Sequence, residues 1–367
     1  MSRTYTLIGA DGVAHRSATP GTLGGHGRTR VYGRLDCPTA LAWLARRPDP
    51  PHRVFFADEA TAVAAGYRPC GHCLPGRYVA WKTRPRALGF RPPLDAEGLL
   101  AFLAQRAIPG VEEVTGSRYR RSLALPHRPA VVELAIEPDS VTLALLAGDA
   151  RDAGQAALRC RRLLDLDADA AAIDAALGAD PVLGPLVAEH PGRRSPGCAD
   201  PTEMVVRAIT NQQVSVAGAR ATLGRIAAAH GAPLAAPAGG VSRVFPGAGV
   251  LAGLDPGKLP MPASRGRAIV AACAAIAAGE LLLEPDGDRA AARAALLALP
   301  GVGPWTADYL AMRALGDPDV LPLGDLGVRH GLERLGIDAR TADVRWRPWR
   351  SYATHLLWAG ASATVGR

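Results

Sequence analysis

The sequence predicts a multidomain chain: a small cysteine-bearing domain, then an α+β domain with an antiparallel sheet, then a mostly helical remainder. Three observations lead there. Cys37, Cys70 and Cys73 cluster near the start, while Cys160, Cys198 and Cys273 stand alone. The runs SLALPH, AVVELAIE and VTLALLAG alternate or are uniformly apolar over strand length. From Asp152 onward nearly every segment has helical periodicity, broken by Pro/Gly loops.

Taken in order, residues 1–83 are rich in Gly and Pro with short apolar runs. The basic, proline-containing stretch 84–93 reads as a linker. Residues 94–170 hold one helix, AEGLLAFLAQRAI, and the strand-like runs, which suggest a small antiparallel sheet with one helix on it. Residues 171–367 are read as helical, with loops at HPGRRSPGCADP and over 232–264. No internal repeat of fixed period is present.

Among 367 residues, Lys and Arg number 42 against 34 Asp and Glu, a net charge of +8 that suits a polyanionic partner. Lys82 and Lys258 are the only lysines, so the positive charge is almost all arginine, which grips phosphate bidentately. The start, MSRTYTLIGADG, has no apolar core of signal-peptide type, so a cytoplasmic, nucleoid-associated location is expected. AIVAACAAIAAGELLLE is mostly alanine and carries Glu280, as a buried helix does and a membrane span does not. For a non-secreted chain the cysteine distribution argues for a metal site plus three buried thiols rather than a disulfide framework.

The segment Leu299–Asp325, LPGVGPWTADYLAMRALGDPDVLPLGD, is the most informative. It opens on a tight two-glycine turn between helical patterns and closes on a carboxylate 22 residues past the second glycine. Glycines at Gly301 and Gly303 let successive backbone N–H groups approach one phosphate. Taken singly, the same features are a helix C-cap at Gly301 or Gly303 and an N-cap at Asp325. Trp305 and Tyr309, spaced i, i+4, share one helix face.

With its Pro322/Gly324 lead-in to the aspartate, this segment resembles the helix–hairpin–helix, Gly/Pro, Asp superfamily of DNA glycosylases. RRLLDLDADAAAID, SPGCADPTEMVVRAITNQQVSV and RWRPWRSYATHLLW resemble the 3-methyladenine DNA glycosylase II (AlkA-type) family in order and spacing, and FRPPLDAEGLLAFLAQRAIPGVEEVTGSRYRRSLAL resembles its N-terminal α+β domain. The resemblance covers roughly residues 89 to 360. It implies double-stranded DNA with alkylated bases as partner, a monomer, and Asp325 as the catalytic aspartate. It also implies a base pocket of Trp305, Tyr309, Trp358 and Phe102, and a backbone grip by Leu299, Gly301, Val302 and Gly303. Gln212 and Gln213 match the loop that fills the gap left by a flipped base, with Gln213 where the best-known relative has leucine.

The chemistry fits these residue types. An N-glycosidic bond breaks through an oxocarbenium-like transition state, and a carboxylate with no cationic neighbour stabilises the charge and places water. An alkylated purine already carries positive charge, so it leaves without a strong general acid, and aromatic faces attract such delocalised cations. Relatives that also cut the strand carry a nucleophilic lysine where this chain has Pro304 and Trp305, which implies a monofunctional enzyme. No cysteine follows Cys273, so no iron–sulfur cluster is expected. The alternative reading is a non-catalytic DNA-damage binding or recruitment protein.

Cys70-Gly71-His72-Cys73 is a zinc half-site, and with Cys37 it offers three thiolates, one short of a closed structural site. The text VYGRLDC…VFFADEATAVAAGYRPCGHC resembles the metal-binding domain of the adaptive-response protein Ada, which holds zinc with four cysteines, one of them a methyl acceptor. The acceptor position falls on Gly33 here, so that activity is not carried over. His52 and His26 are the candidates for a fourth zinc ligand.

Overall fold

In a computed structural model, residues 3–46 and 52–362 are described, and the chain divides into two compact units, Met1–Arg84 and Pro85–Arg367.

In the first unit β1 (Tyr5–Ile8) and β2 (Ala14–Ser17) form a hairpin. β3 (Leu23–His26), β4 (Val31–Arg34), β5 (Arg53–Phe56) and β6 (Arg68–Pro69) form a sheet in the order β5-β3-β4-β6, with β4 and β6 parallel. Three short helices, α1 (Pro38–Leu44), α2 (Glu59–Ala64) and α3 (Pro75–Thr83), complete it. Its core is Tyr32, Phe56, Ala62, Ala65 and Tyr67. So small an apolar core is one that a bound metal commonly supplements.

In the second unit β7 (Arg86–Ala87), β8 (Glu112–Thr115), β9 (Arg118–Leu123), β10 (Ala130–Ile136) and β11 (Val141–Ala147) form an antiparallel sheet in the order β7-β11-β10-β9-β8. Two helices pack on it rather than the one expected: α4 (Ala96–Arg106) through Leu99 and Leu103, and α5 (Ala153–Leu164) through Ala156, Cys160 and Leu163. Asp95 caps α4 by accepting from the Gly98 N–H at 2.8 Å.

Two stretches differ from the sequence reading. The expected linker 84–93 belongs to the sheet: β7 pairs with β11, Leu88 donates its N–H to Val141 O, and its side chain is buried. Two paired residues are too few to show a strand pattern. The region 232–264, read as loop, contains the hairpin β12 (Pro233–Ala238) and β13 (Val241–Arg243). PLAAPA carries no apolar alternation, which is why it did not read as a strand. Leu234, Val241 and Val244 of this segment cover Val131, so β10 is buried on both faces.

The remaining helices are α6 (Ala170–Gly178), α7 (Gly184–Glu189), α8 (Pro201–Thr210), α9 (Val216–His230), α10 (Ala248–Ala252) and α11 (Ala263–Ala277), followed by α12 (Arg289–Ala298), α13 (Pro304–Arg313), α14 (Leu326–Leu335), α15 (Ala339–Arg345) and α16 (Arg350–Ser362). They surround two cores. One is built from α8 to α13 around Val205, Ile209, Ile269 and Leu310; the other, from α6, α7 and α14 to α16, centres on Ile173, Val328, Trp346 and Leu357. Among the described residues no helix is long and apolar enough to cross a membrane. Cys160 and Cys273 are buried as expected, while Cys198 is only partly so.

α8 is buried on every side from Glu203 to Thr210, and this includes an ion pair at i, i+4. Arg207 bonds Glu203 at 2.7 Å and also Glu112; Arg121 bonds Glu203 at 2.7 Å and Glu112 at 3.3 Å. Glu112 further accepts from Tyr119 Oη and from the Ile108 N–H, and Arg207 donates to Arg106 O at the end of α4. The network therefore ties the sheet, α8 and the end of α4 together. Burial alone raises the Glu112 carboxyl, but Arg207 and Arg121 outweigh it and hold it at about 2.

A buried network loses most when one partner is removed. Glu203→Ala, which leaves Arg121 and Arg207 to share the single carboxylate of Glu112, is expected to cost about 3–5 kcal/mol in a urea titration. Because Glu112 is depressed, its contribution is present above the ordinary value of 4.5 and is lost as pH falls toward about 2, so the wild-type midpoint should drop across that window.

Candidate active site and candidate metal centre

Asp325 sits half-buried at the N-terminus of α14. Its Oδ1 accepts from the Val328 N–H at 3.0 Å, so the residue is an N-cap as the simpler reading had it. It is also more than that. Oδ1 accepts from Trp358 Nε1 at 2.9 Å, and Oδ2 from Trp305 Nε1 at 3.1 Å. Indole N–H groups from α13 and α16 thus converge on one carboxylate. Of a carboxylate's roughly four acceptor sites, three are taken and one, on Oδ2, remains.

Gly327 allows this approach. A Cβ there would lie 2.9 Å from Trp358 Cδ1, 3.1 Å from its Nε1 and 3.2 Å from Asp325 Oδ1, so any side chain would push the indole off the carboxylate.

The four aromatic residues expected in one pocket are brought together. Trp305 stacks on Tyr309 at 5.6 Å between centroids, Tyr309 is 6.4 Å from Trp358, and Phe102 lies nearly parallel to Trp358 at 6.4 Å with 15° between planes. Phe102 comes from α4, held by the buried ion network.

Three further residues of the pocket escaped the sequence reading. The Arg106 guanidinium lies 3.9 Å from the Phe102 centroid, and that of Arg313 lies 4.8 Å from it. Arg313 donates to Tyr309 Oη at 2.9 Å and to Gly197 O at 3.1 Å. His355, fully buried, packs edge-on to Trp358 at 4.8 Å. Burial lowers Arg106 to about 10, with Tyr309 and Asp325 acting the other way, and it stays charged at neutral pH. Burial, reinforced by Arg313 and Arg106, holds His355 far below its ordinary value, hence neutral. The i, i+4 spacings from Phe102 to Arg106 and from Tyr309 to Arg313 were the signal available.

The hairpin joins α12 to α13, which Arg293 and Asp308 also link at 2.9 Å. Gly301 adopts φ 77°, a left-handed conformation that favours glycine, and Gly303 caps α13 ahead of Pro304. Gly301 and Gly303 are exposed and Leu299 half-buried, whereas the Val302 side chain points into the core. Gln212 and Gln213 part company. Gln212 Nε2 donates to Gly301 O at 2.9 Å and Thr306 Oγ1 at 3.0 Å, tying the α8–α9 loop to the hairpin. Gln213 is exposed at the loop tip with φ 55°, a strained conformation for a non-glycine residue.

In the first unit the Sγ atoms of Cys37, Cys70 and Cys73 all lie within 4.8 Å of one another. Cys37 is the N-cap of α1, and Cys70 and Cys73 bracket the turn between β6 and α3. Burial opposes ionisation of both turn thiols. Backbone N–H bonds from Cys73 and His72 nevertheless pull Cys70 below the ordinary thiol range, while Cys73 is pushed up to about 11. No histidine stands within the group among the described residues, where His52 and His26 were the candidates for a fourth ligand. Their rings lie 5.8 Å apart, and His26 Nδ1 is engaged by the Thr29 N–H and hydroxyl. The antiparallel register places His26 opposite Val31, two residues along β4 from Gly33.

Residues 86–200 match the family model of the AlkA N-terminal domain, and residues 21–76 that of the metal binding domain of Ada. The chain is similar to DNA-3-methyladenine glycosylase 2 of Escherichia coli (strain K12), 35% identical over 277 residues that cover 74% of this chain and 95% of that protein. It is also similar to a probable bifunctional transcriptional activator/DNA repair enzyme AlkA of Mycobacterium tuberculosis (strain CDC 1551 / Oshkosh), 48% identical over 276 residues, 74% of this chain and 56% of that one. The chain thus matches little more than half the length of that relative. Among solved structures, a 3-methyladenine DNA-glycosylase from Archaeoglobus fulgidus shares the fold, with TM-score 0.67 and 19% identity over 77% of this chain and 100% of that one.

Gly327→Ala tests the geometry directly. The added methyl is expected to displace the Trp358 indole from Asp325, cost about 1–3 kcal/mol in chemical denaturation, and alter tryptophan fluorescence in the folded state. An unchanged midpoint and spectrum would contradict the packing described.

Proposed function

The chain belongs to the DNA-3-methyladenine glycosylase 2 family, and from that premise we propose that it hydrolyses the N-glycosidic bond of alkylated purines in duplex DNA. One observation carries the reading: Asp325 is held by a helix N-terminus and two indoles at the edge of an aromatic pocket.

The damaged nucleotide leaves the duplex and its base enters the pocket. Trp305, Tyr309, Trp358 and Phe102 offer faces to an electron-poor base, and Arg106 and Arg313 brace Phe102. As the bond to the base lengthens, positive charge grows on the sugar. The remaining acceptor site of Asp325 faces it or orients the attacking water, and the fixed donors spare the carboxylate any reorganisation. The exposed turn at Gly301 and Gly303 grips the backbone beside the lesion, and Gln213 fills the vacated stack, its amide able to bond the orphaned base. Gln212 acts through the hairpin it ties down rather than on DNA. With no lysine between Leu299 and Asp325, the product is an abasic site with the strand intact.

We further infer that the first unit holds a structural Zn2+ through Cys37, Cys70 and Cys73. Thiolates around one zinc ion lie about 3.8 Å apart, given Zn–S near 2.3 Å, so sulfurs already within 4.8 Å need only a small contraction. An ion there would offset two of the three thiolate charges and cross-link α1 to the turn before α3.

The test is chromatography of bases freed from methylated duplex DNA by the purified chain. Release of 3-methyladenine without strand cleavage is the expected result. DNA binding with no release would overturn the enzymatic reading and favour a damage-binding protein.

A further inference from the structure

Gly33 lies in the middle of the first unit's sheet, opposite Gly24 in the β3–β4 register. It is not among the glycines with positive φ, so its backbone does not demand glycine. A Cβ built on it would lie 2.7 Å from Cys73 Sγ, 3.0 Å from Cys70 Cβ and 3.9 Å from Cys70 Sγ, and these are the three atoms nearest to it. The missing side chain is therefore aimed at the thiol cluster and at nothing else so close. What glycine does here is leave that side of the cluster without a donor.

Among the described residues no other protein group takes the place. No histidine, aspartate or glutamate joins the three sulfurs among the described residues. Asp36, the nearest acid in sequence, is bound through both oxygens to Arg34, and Cys73 Sγ accepts a backbone N–H from Arg34 at 3.3 Å. Zinc held by proteins is four-coordinate; sites closed by four protein ligands are structural, and sites with three keep an exchangeable position.

Resting on the metal site proposed above, we propose that this unit binds its metal through three thiolates only, and that the fourth position, beside Gly33, is open to a small exogenous thiol. A three-thiolate zinc site is soft and favours sulfur over oxygen donors. The thiol binds as its thiolate, releasing one proton to solvent and displacing the water that otherwise completes the coordination. A Cβ on Gly33 would crowd Cys73 Sγ at 2.7 Å and Cys70 Cβ at 3.0 Å, so the strand leaves no spare room and the ligand must be the slimmest of thiols, one on one or two carbons. Cys70 and Cys73 are only partly buried, which leaves a way in.

The experiment loads the full chain with Co2+ under anaerobic conditions, follows thiolate-to-cobalt absorption, and titrates 2-mercaptoethanol. In the wild type the absorption should rise saturably by about one third, the step from three thiolates to four. Gly33→Cys should show the four-thiolate spectrum from the start and ignore the added thiol. X-ray absorption of the zinc-loaded wild type gives a second readout independent of that variant's folding: three sulfurs and one lighter donor without thiol, four sulfurs with it. A wild type that binds cobalt but does not respond to thiol would overturn the open position while leaving the metal site standing. A chain that takes up no cobalt would overturn the metal site itself. Neither outcome touches the glycosylase reading, which is tested by base release.

Discussion

Everything at the pocket depends on one carboxylate accepting from two indoles at once. Trp305 and Trp358 belong to different helices, and Asp325 holds both rings by their N–H edges while a backbone N–H fixes its own position. The arrangement sets the aromatic faces and the carboxylate relative to each other in a single device. An Asp that only capped α14 would need no indole, and rings that only filled a core would bury their N–H groups against any acceptor. Gly327, packed against both partners, is the local condition for that meeting.

Support for the pocket arrives from a distance. Phe102 stands on a helix of the sheet layer, and the end of that helix is pinned to α8 by the Arg207 contact with Arg106 O. The four buried charges are an expensive way to join two layers, since apolar packing does so at no desolvation cost. Their geometric effect is directional: they fix the register between sheet and helical bundle, and with it the wall of the pocket. The guanidiniums of Arg106 and Arg313 then lie over the Phe102 ring, so cation–π contact helps hold that wall.

What was legible in the sequence was local. The hairpin, the i, i+4 pair Trp305/Tyr309 and the aspartate after Pro322/Gly324 are motifs written within 27 residues, and periodicity alone separated the sheet segment from the helical one. The parts that were not legible are those created by packing across the chain. Arg106, Arg313 and His355 join the pocket only once α4, α13 and α16 converge. The β12–β13 hairpin has no alternation to betray it, because it lies flat over a face of β10 with few apolar side chains of its own. At the cysteine cluster the three thiols were readable from spacing, but the fourth position was not, since sequence distance does not report that strand register sets His26 opposite Val31, two residues along β4 from Gly33.

The measurement that tests the catalytic centre most directly is the comparison of wild type with Asp325→Asn on methylated duplex DNA, reading base release and DNA binding on the same preparations. Asparagine keeps the size and an acceptor for one indole, turns its NH2 toward the other, and removes the charge. Release lost with binding retained is the expected result. Release at the wild-type rate would contradict the assignment of Asp325, and with it the view that the two indoles exist to hold a catalytic carboxylate.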